Sequence, residues 1–349
     1  MVSSVRDAAW LEWISRLLRE PLPQQPRGER LPASLFYCLL DEQPTHLVPE
    51  RFLVAGDFQK PATGPLFVNP HCHFCREREL PPEVAQLGHL PEGFAWEGTI
   101  AWVCDPGTWI ILPFWLGPRF SGLLDGLQPG DAAPTDLPPD VCSVLSIAGV
   151  LVEEDCTQRR SQEWTEVVKH CAERFRENGY VPIGQLIHPY HVAALRRYYR
   201  YLIRNGRMRL GDDHIPRRYV AHNETVARFF HLQLTAVVAA IAEERVKPSY
   251  VYVASYLGGE KLTKHTDREQ CEFSISLCVD FSPEPVRETG WPLYLDTKVS
   301  KLTVHQAIGD GLLYRGRELA HYRDPLPQVN TSTSIFFHYV RENFSGPLD

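Results

Sequence analysis

The sequence predicts an α+β protein in which a group of helices precedes an antiparallel barrel or sandwich of short strands. From Pro248 to the C-terminus, seven short apolar runs are each bounded by turn residues, a density typical of an all-β barrel or sandwich. Between residues 157 and 248 the apolar residues instead recur at helical spacing. The chain therefore combines a helical layer with an antiparallel sheet structure.

Three helices are predicted in this middle part. The first begins with Ser161 as its N-cap and ends at Gly179, and the second ends at Gly206. The third begins with Asn223 as its N-cap and stops before Pro248. Serine and asparagine side chains satisfy free amides at helix starts, and glycine and proline end helices, so these positions set the predicted boundaries.

The residues before 157 have a different composition, rich in proline and aromatic residues. Short apolar runs at 35–40, 51–56, 99–104 and 108–116 predict strands, and 119–140 has the composition of a surface linker before a short helix and a strand. We therefore expect a mainly β accessory region over 1–156 and a second domain over 157–349. An extension this long favours a role in substrate recognition, which is a hypothesis.

Composition excludes several classes of protein. The chain has 349 residues with 36 Lys+Arg against 43 Asp+Glu, a formal charge of −7, and 44% hydrophobic residues. Such a composition excludes disorder as the main state and argues against a dedicated nucleic-acid binder. The N-terminus lacks an uninterrupted apolar stretch, so neither a signal peptide nor membrane insertion is expected. Nine cysteines without such a signal favour reduced thiols and a cytoplasmic location.

Three residues form a candidate metal site. His265 and Asp267 make an H-x-D arrangement at the end of a predicted strand, and His321 lies near the end of a later strand. Two imidazoles and one carboxylate on adjacent strands can occupy one face of an octahedron around Fe(II), leaving three positions open. An isolated H-x-D is common, so the hypothesis of a metal site depends on the distal histidine and on the strand context.

Over residues 160–342 the sequence resembles the Fe(II)/2-oxoglutarate-dependent dioxygenase superfamily, in particular its prolyl-4-hydroxylase-like branch. The shared strings are RENGYVPI, PSYVYVASY, HTDREQCEFS, GDGLLYRG and SIFFHYV. The resemblance implies a double-stranded β-helix, also described as a jelly-roll or cupin-like core, that binds Fe(II), 2-oxoglutarate and O2. It also implies that one oxygen atom enters the oxo acid, giving succinate and CO2, while the other is used to oxidise a C–H bond.

The resemblance narrows the reaction further. Related halogenases have Gly or Ala where this chain has Asp267, so halogenation is disfavoured and hydroxylation is the expected outcome. Desaturation and cyclisation use the same ligands and stay open. The implied substrate is an amino acid, a peptidyl side chain or a natural-product intermediate.

One feature departs from the family pattern. Members of this branch carry Arg or Lys about ten residues after the distal histidine to bind the far carboxylate of 2-oxoglutarate, and this chain has none there. Arg323 shares the strand face of His321, roughly 7 Å along, and is the first candidate for that anchor. Arg315 and Arg317 are rivals, and Ser332 is a supporting hydrogen-bond donor.

Strand parity adds two candidates for the 2-oxoglutarate pocket. Tyr252 shares a face with Tyr250 and Tyr256, and relatives place a tyrosine from this strand against the carboxylate; the alternative is an aromatic residue that only fills the barrel. Ser276 shares a face with Ser274 and Cys278, opposite an apolar face. If that polar face lines the cavity, the Ser276 hydroxyl reaches the oxo acid.

Three alternatives stay open. The missing cation allows a non-catalytic β-helix that binds a ligand or partner and retains remnant metal residues. The eight arginines in 196–218 allow nucleic-acid binding, although a solvated helix face with internal ion pairs is favoured. The cluster of His71, Cys72, His73 and Cys75 lacks a second ligand pair at zinc spacing, so buried thiols are favoured over a metal site. The oligomeric state is not predicted.

Overall fold

The structure is a computed structural model that describes residues 36–43, 51–52, 56–57, 64–76, 79–85, 98–286, 288–297 and 299–349. The described chain folds as α+β with antiparallel sheets and divides into two compact units. The first unit contains the described residues up to Thr165 together with His188–Arg197, and the second contains Glu166–Ile187 and Tyr198–Asp349. The domain boundary expected near residue 157 and the role of the N-terminal region stay predictions.

The first unit has three small antiparallel sheets, with strand orders β1-β2, β3-β7 and β4-β5-β6. Its strands are β1 (Arg51–Phe52), β2 (Gly56–Asp57), β3 (Leu66–Val68), β4 (Cys72–Arg76), β5 (Thr99–Cys104), β6 (Ile111–Leu116) and β7 (Leu151–Glu153). Its helices are α1 (Pro82–Ala85), α2 (Pro118–Leu123), α3 (Pro139–Ile147) and the first part of α4 (Cys156–Asn178), with a 3-10 turn at Leu40–Glu42.

Several predictions for this unit are confirmed and three are wrong. The run at 51–56, predicted as one strand, contains residues of two strands, β1 and β2, that pair antiparallel. The apolar run at 99–116 does form two buried strands around a turn, and α3 is followed by a left-handed Gly149 and then β7. The described part of 35–40 forms bridges and a 3-10 turn instead of a strand. The expected linker at 119–140 begins inside α2. Pro118 can occupy the first turn of this helix because the backbone N–H that proline lacks would have no acceptor within the helix at that position.

The second unit contains a seven-stranded sheet in the order β8-β16-β13-β18-β11-β10-β9 and a four-stranded sheet in the order β12-β17-β14-β15. Its strands are β8 (Tyr180–Ile183), β9 (Arg209–Leu210), β10 (Arg218–His222), β11 (Val246–Leu257), β12 (Leu262–His265), β13 (Phe273–Ser282), β14 (Leu293–Asp296), β15 (Lys301–Val304), β16 (Gly311–Tyr314), β17 (Ala320–Arg323) and β18 (Thr331–Arg341). Its helices are the rest of α4, part of α5 (Pro189–Arg204) and α6 (Thr225–Ala242).

Helix boundaries differ from the prediction at two N-termini. Helix α4 begins at Cys156 and not at Ser161, although it does end before Gly179, which has a left-handed φ of 76°. The N-cap of α6 is Glu224 and not Asn223. The Asn223 side chain is used elsewhere, because its Oδ1 accepts a hydrogen bond from the backbone N–H of Val251 at 3.1 Å.

The strands after α6 are more numerous than predicted. Eight named strands follow α6, because the residues around the H-x-D form a strand of their own, β12. The last predicted helix also ends earlier, at Ala242, and β11 begins at Val246 and runs through Pro248. Strands β9 and β10, which the sequence did not predict, extend the large sheet beyond β11.

The large sheet is buried on both faces, which explains the alternation in β13 and β18. On one face, Phe337 and Tyr339 pack against His231 of α6, with ring centroids 5.9 and 4.6 Å apart. The His231 ring also hydrogen-bonds the carbonyl of His338 at 2.7 Å. On the other face, Ser274 and His338 are paired across the strands and point away from the helix. This second face lies toward the four-stranded sheet.

Helix α6 is long and apolar enough to cross a membrane by length and composition alone. However, 61% of its most apolar window is buried inside the protein. Its buried side chains include Phe229, Phe230 and Leu234, each at most 2% exposed. Packing against the large sheet therefore accounts for the apolar composition of this helix, because a core helix carries the same residues.

We predict that Glu224→Ala destabilises the second unit by about 2–3 kcal/mol. The Glu224 carboxylate accepts hydrogen bonds from the backbone N–H groups of Val226 and Ala227 at 3.1 and 3.0 Å. It also accepts from the hydroxyls of Tyr198 and Tyr199 at 2.8 and 2.9 Å. Alanine leaves all four donors without this partner, and urea unfolding measures the loss.

The matched control is Glu177→Ala, which removes an exposed helical glutamate from α4. We expect its unfolding free energy to stay within about 0.5 kcal/mol of the wild type. Equal effects of the two substitutions would show that the Glu224 contacts do not contribute.

Candidate metal centre

His265 and His321 face each other across neighbouring strands of the small sheet. They are direct partners in the β12–β17 register, and their ring centroids are 4.4 Å apart. Asp267 follows β12, and its backbone N–H donates to the carbonyl of Gly316 at 2.9 Å. Its Oδ1 lies 3.5 Å from Nε2 of His265 and 3.4 Å from Nε2 of His321. The strand register therefore brings the three predicted ligands together.

Backbone carbonyls set the orientation of both imidazoles. Nδ1 of His265 lies 2.8 Å from the carbonyl oxygen of Thr263, and Nδ1 of His321 lies 3.0 Å from that of Leu319. A carbonyl only accepts, so each Nδ1 carries a hydrogen, and Nε2 is the nitrogen left to bind a metal ion. Both Nε2 atoms are directed to the side of Asp267.

The electrostatics keep Asp267 ionised. Burial raises its pKa, but hydrogen bonds with His265 and His321 outweigh this effect and hold the pKa well below the usual range. The same hydrogen bond with Asp267 raises the pKa of His265. The three ligand atoms all lie within 4.8 Å of one another. An ionised carboxylate between two imidazoles attracts a divalent cation.

The three side chains differ in exposure, which shows where the site opens. The His265 side chain is 39% exposed, Asp267 is 11% exposed and His321 is 3% exposed. The site therefore opens to solvent on the His265 side, while His321 forms its buried wall.

A second group of potential ligands in the described residues shares Asp267 and adds Cys271 and His338. Burial raises the pKa of Cys271 to about 12 and lowers that of His338 to about 4, so the thiol and the imidazole are both neutral at pH 7. Nδ1 of His338 is already hydrogen-bonded to Ser274 at 2.9 Å, and the Cys271 sulfur contacts the Tyr250 hydroxyl. A protonated thiol is a poor ligand, so the His265 group is the better metal centre.

Arg323 is buried near this centre without a counter-charge. It is 5% exposed, and burial lowers its pKa. Its guanidinium donates to the Trp291 carbonyl and, at 3.2 Å, to Oε1 of Gln306, and it lies over the Trp291 ring at 4.7 Å. Within the described residues no carboxylate pairs with it. A buried cation with only neutral partners is costly, so this position favours an anionic ligand.

The residues that hold Arg323 in place carry no recognisable sequence signal. Gln306 is fixed because its amide donates to the carbonyls of Ser276 and Asp310 at 2.8 and 3.1 Å. The Trp291 ring packs edge-on against Tyr256 at 5.0 Å. These contacts join positions far apart in the chain, and no short motif signals them.

Two predicted serines line the same face of the large sheet. Ser276 is fully buried, and within the described residues its hydroxyl has no hydrogen-bond partner. Ser332 is 3% exposed and is paired in register with Tyr256. Both belong to the polar face that continues from Ser274, so the two-residue period in β13 does place hydroxyls toward the small sheet.

Tyr252 is engaged in a different contact from the one expected. Its hydroxyl donates to Oδ2 of Asp212 at 2.6 Å, and the Arg218 guanidinium lies over its ring at 5.5 Å. Arg218 also donates to Asp212 at 2.7 Å and to the Tyr256 hydroxyl at 2.9 Å. The tyrosine next to Trp291 is therefore Tyr256, four residues further along the same strand and on the same face.

The rival anchors are not brought to the centre. Arg315 lies over the rings of Phe175 and Phe273, at 5.1 and 5.7 Å, on the face of the large sheet opposite Ser274. Arg317 lies 3.7 Å from Glu272 and is half exposed.

The eight arginines of 196–218 divide equally between internal and exposed positions. Arg196, Arg197 and Arg218 are buried. Arg200 forms a two-point hydrogen bond with Asp280 at 2.5 and 2.8 Å. The exposed ones are Arg204, Arg207, Arg209 and Arg217. Internal ion pairs therefore account for part of this set, and the other four arginines lie at the surface.

The cysteines of β4 are buried thiols. Cys72 is fully buried and Cys75 is 7% exposed, and burial raises the pKa of Cys75 to about 11. In the described part of the chain, this cluster does not form a group with metal-ligand geometry. None of the nine cysteines forms a disulfide.

No protein-family model matches the chain, and no curated protein matches its sequence. Solved structures similar to it include the non-heme α-ketoglutarate-dependent epimerase SnoN from nogalamycin biosynthesis, with 14% identity over 51% of this chain and 82% of that one, and a TM-score of 0.43. A Pseudomonas putida prolyl-4-hydroxylase has 12% identity over 49% of this chain and 98% of that one, with a TM-score of 0.41. HygX from Streptomyces hygroscopicus, solved with nickel, 2-oxoglutarate and hygromycin B bound, has 15% identity over 50% of this chain and 88% of that one, with a TM-score of 0.40.

We predict that Asp212→Asn lowers stability at neutral pH and has no effect near pH 2. Burial raises the pKa of Asp212, but hydrogen bonds from Tyr252, His214, Ile215 and Arg218 lower it to about 2. A lowered pKa means that the stabilisation is present above about pH 4 and is lost as the pH falls through 2. We expect a loss of about 1–2 kcal/mol at pH 7, measured by urea unfolding across pH.

The neighbouring Asp213 is exposed and provides the matched control. We expect Asp213→Asn to unfold like the wild type at every pH. A constant difference between the wild type and Asp212→Asn from pH 7 to pH 2 would contradict the assigned role of the Asp212 carboxylate.

Proposed function

We propose that the chain is an Fe(II)- and 2-oxoglutarate-dependent oxygenase. The observation that carries this proposal is the combination of two imidazoles and one carboxylate with a buried, uncompensated guanidinium on the same strand as His321. The first group suits a divalent metal and the second suits a carboxylate. 2-Oxoglutarate has a metal-chelating end and a distant carboxylate, so it matches both groups.

The strand order of the second unit supports a double-stranded β-helix core. Numbered from β11 as one to β18 as eight, the large sheet contains strands six, three, eight and one, and the small sheet contains two, seven, four and five. Successive strands thus alternate between the two sheets, except that strands four and five are neighbours in the small sheet, as in an eight-stranded jelly roll. In that core the end of strand two and strand seven supply the metal ligands.

The donor set fits Fe(II). His265, Asp267 and His321 would hold it through two neutral imidazole nitrogens and one carboxylate oxygen, whose orientations are already fixed in the protein. Three ligands on one side leave positions for other ligands, unlike the closed four-ligand set of a structural zinc site. When bound, Fe(II) supplies the activation of O2, and the balanced reaction converts substrate R–H, O2 and 2-oxoglutarate to R–OH, succinate and CO2.

The protein residues supply binding and orientation. Arg323 binds the far carboxylate of 2-oxoglutarate, and Gln306 and the Trp291 carbonyl keep its guanidinium in place. The unpartnered hydroxyl of Ser276 donates to the same ligand. Ser332 is the register partner of Tyr256, whose ring packs on Trp291, and supports the pocket from that side. The buried setting excludes water and strengthens these charge-assisted bonds.

The substrate enters from the exposed His265 side. We propose hydroxylation of an unactivated C–H bond in an amino acid, a peptidyl side chain or a natural-product intermediate. The presence of Asp267 as a third ligand favours hydroxylation over halogenation. The nine free cysteines support a cytoplasmic location.

The competing proposal is a non-catalytic protein that retains the same residues, and one experiment separates the two. The apoprotein receives Fe(II) and 2-oxoglutarate without O2, and the visible charge-transfer band of an Fe(II)–oxo acid complex is recorded. O2 is then admitted, and succinate is quantified with candidate amino acids and peptides. A band followed by succinate formation supports the oxygenase. If neither the band nor succinate is observed, the non-catalytic binding protein is the correct assignment.

We predict that His265→Ala weakens binding of Fe(II) or Co(II) to the apoprotein at least 100-fold, because it removes one of three ligands. The side chain is 39% exposed, so the fold tolerates its loss. Isothermal titration measures the change. The control His170→Ala removes an exposed histidine of α4 and should bind metal like the wild type; similar weakening in both variants would refute the assignment.

We predict that Arg323→Gln raises the half-saturating concentration of 2-oxoglutarate about 100-fold and leaves metal affinity unchanged. Glutamine retains a polar group but loses the charge and the two-point donor geometry. Succinate formation and the anaerobic charge-transfer band give two independent measurements of the half-saturating concentration of 2-oxoglutarate. In the control Arg317→Gln, which changes the half-exposed arginine, we expect wild-type values; an unchanged half-saturation in Arg323→Gln would exclude it as the anchor.

A further inference from the structure

Ser274 and His338 lie behind Asp267 on the buried polar face of the large sheet. Ser274 is fully buried and His338 is 6% exposed, and the two are direct cross-strand partners in β13 and β18. The Ser274 hydroxyl lies 3.0 Å from Oδ2 of Asp267 and 2.9 Å from Nδ1 of His338. Together they form a chain of hydrogen bonds that ends on the carboxylate.

The direction of this chain is determined by the number of hydrogens. The ionised carboxylate only accepts, so the single hydroxyl hydrogen of Ser274 must point to Oδ2 of Asp267. The Ser274 oxygen is then free to accept the hydrogen on Nδ1 of His338. His338 therefore fixes the hydroxyl rotor, and the hydroxyl fixes one oxygen of the carboxylate.

Gly316 closes the remaining side of the same carboxylate. Its carbonyl accepts the Asp267 backbone N–H, and a Cβ at this position would lie 2.3 Å from Oδ2 of Asp267 and 2.8 Å from Oγ of Ser274. The carboxylate thus packs directly on the glycine backbone. Its plane cannot turn without breaking the Ser274 bond or striking the turn before β17.

We propose that Ser274, oriented by His338, is a positioning residue that holds Oδ2 of Asp267 away from the metal so that only Oδ1 is presented. This inference rests on the proposed function, because it assigns a role at the same metal centre. Oδ1 is the oxygen that faces both imidazoles, at 3.5 and 3.4 Å. A carboxylate that binds through one oxygen leaves more coordination positions for the oxo acid and O2 than one that binds through both.

The test compares Ser274→Ala with Ser255→Ala in the full-length protein. Ser255 is also a buried strand serine with a hydrogen-bonded hydroxyl, 2.9 Å from Oγ1 of Thr333, but it is remote from the metal ligands in sequence and register. The two substitutions remove the same atom from similar surroundings. They should therefore have similar effects on folding and different effects on the metal.

Co(II) is titrated into each apoprotein and followed by calorimetry and by visible absorption, whose intensity reports coordination number. We expect Ser274→Ala to bind Co(II) 10- to 100-fold more weakly, with an altered spectrum. We expect Ser255→Ala to match the wild type. Equal affinity and spectra for Ser274→Ala and the wild type would overturn the inference while leaving the oxygenase proposal intact, whereas absence of Co(II) binding by the wild type would refute the oxygenase proposal itself.

His338 variants supply the second measurement. Asparagine can place an N–H near the position of Nδ1, whereas leucine cannot. We expect His338→Leu to reproduce the Ser274→Ala spectrum and His338→Asn to restore the wild-type spectrum in part. If both His338 variants lost Co(II) binding completely, His338 would have to be a metal ligand, and its positioning role would be overturned.

Discussion

The register between β13 and β18 determines which side chains reach the candidate metal centre. Both strands are buried on both faces, so apolar residues such as Phe337 alternate with polar ones such as His338. Because side chains alternate with a period of two, a slip of one residue would exchange the two faces of the strand that moves. A slip of β13 would put a phenylalanine in place of the serine that contacts Asp267, and a slip of β18 would force His338 against α6. The hydrophobic packing of α6 on one face thereby fixes the polar arrangement on the other.

The second constraint is the burial of charge. Asp267 is compensated by its two histidines, whereas Arg323 has only neutral acceptors in the described part of the second unit. Burying such a cation reduces the stability of the protein unless a bound anion or other interactions compensate for the lost hydration. The packing of Trp291 and Gln306 around it holds the guanidinium in a single orientation. The protein is therefore less stable when this site is empty and becomes more stable when an anion binds to Arg323.

The sequence could predict the features that depend on local signals. The H-x-D spacing and the distal His321 follow from side-chain chemistry, and the face of Ser276 follows from the two-residue period of β13. The N-cap of α6 could not be read reliably, because Asn223 and Glu224 are both able to cap and a long-range bond to Val251 decides between them.

Other parts of the site depend on contacts that no local pattern encodes. Parity placed Tyr252 and Tyr256 on one face, but it could not show that Asp212 would accept the hydroxyl hydrogen of Tyr252, since Asp212 lies beyond the predicted end of the second helix, in a segment with no predicted pairing. Gln306 and Trp291 carry no motif, and they meet Arg323 only through contacts made in the folded small sheet. The linear pattern thus predicts the ligands, while the tertiary fold determines the contacts around them.

The unequal exposure of His265 and His321 has a consequence for how a metal ion at the proposed centre would be exchanged. His321 belongs to the packed interior, so its movement would require the small sheet to open, whereas a rotation of the more exposed His265 ring would break its hydrogen bond to the Thr263 carbonyl. Loss of a bound metal ion would therefore begin with a side-chain motion of His265, on the timescale of rotamer changes, and would need no local unfolding. Asp267 and His321 would stay in place during this motion, and a chelator in solution would compete first with His265.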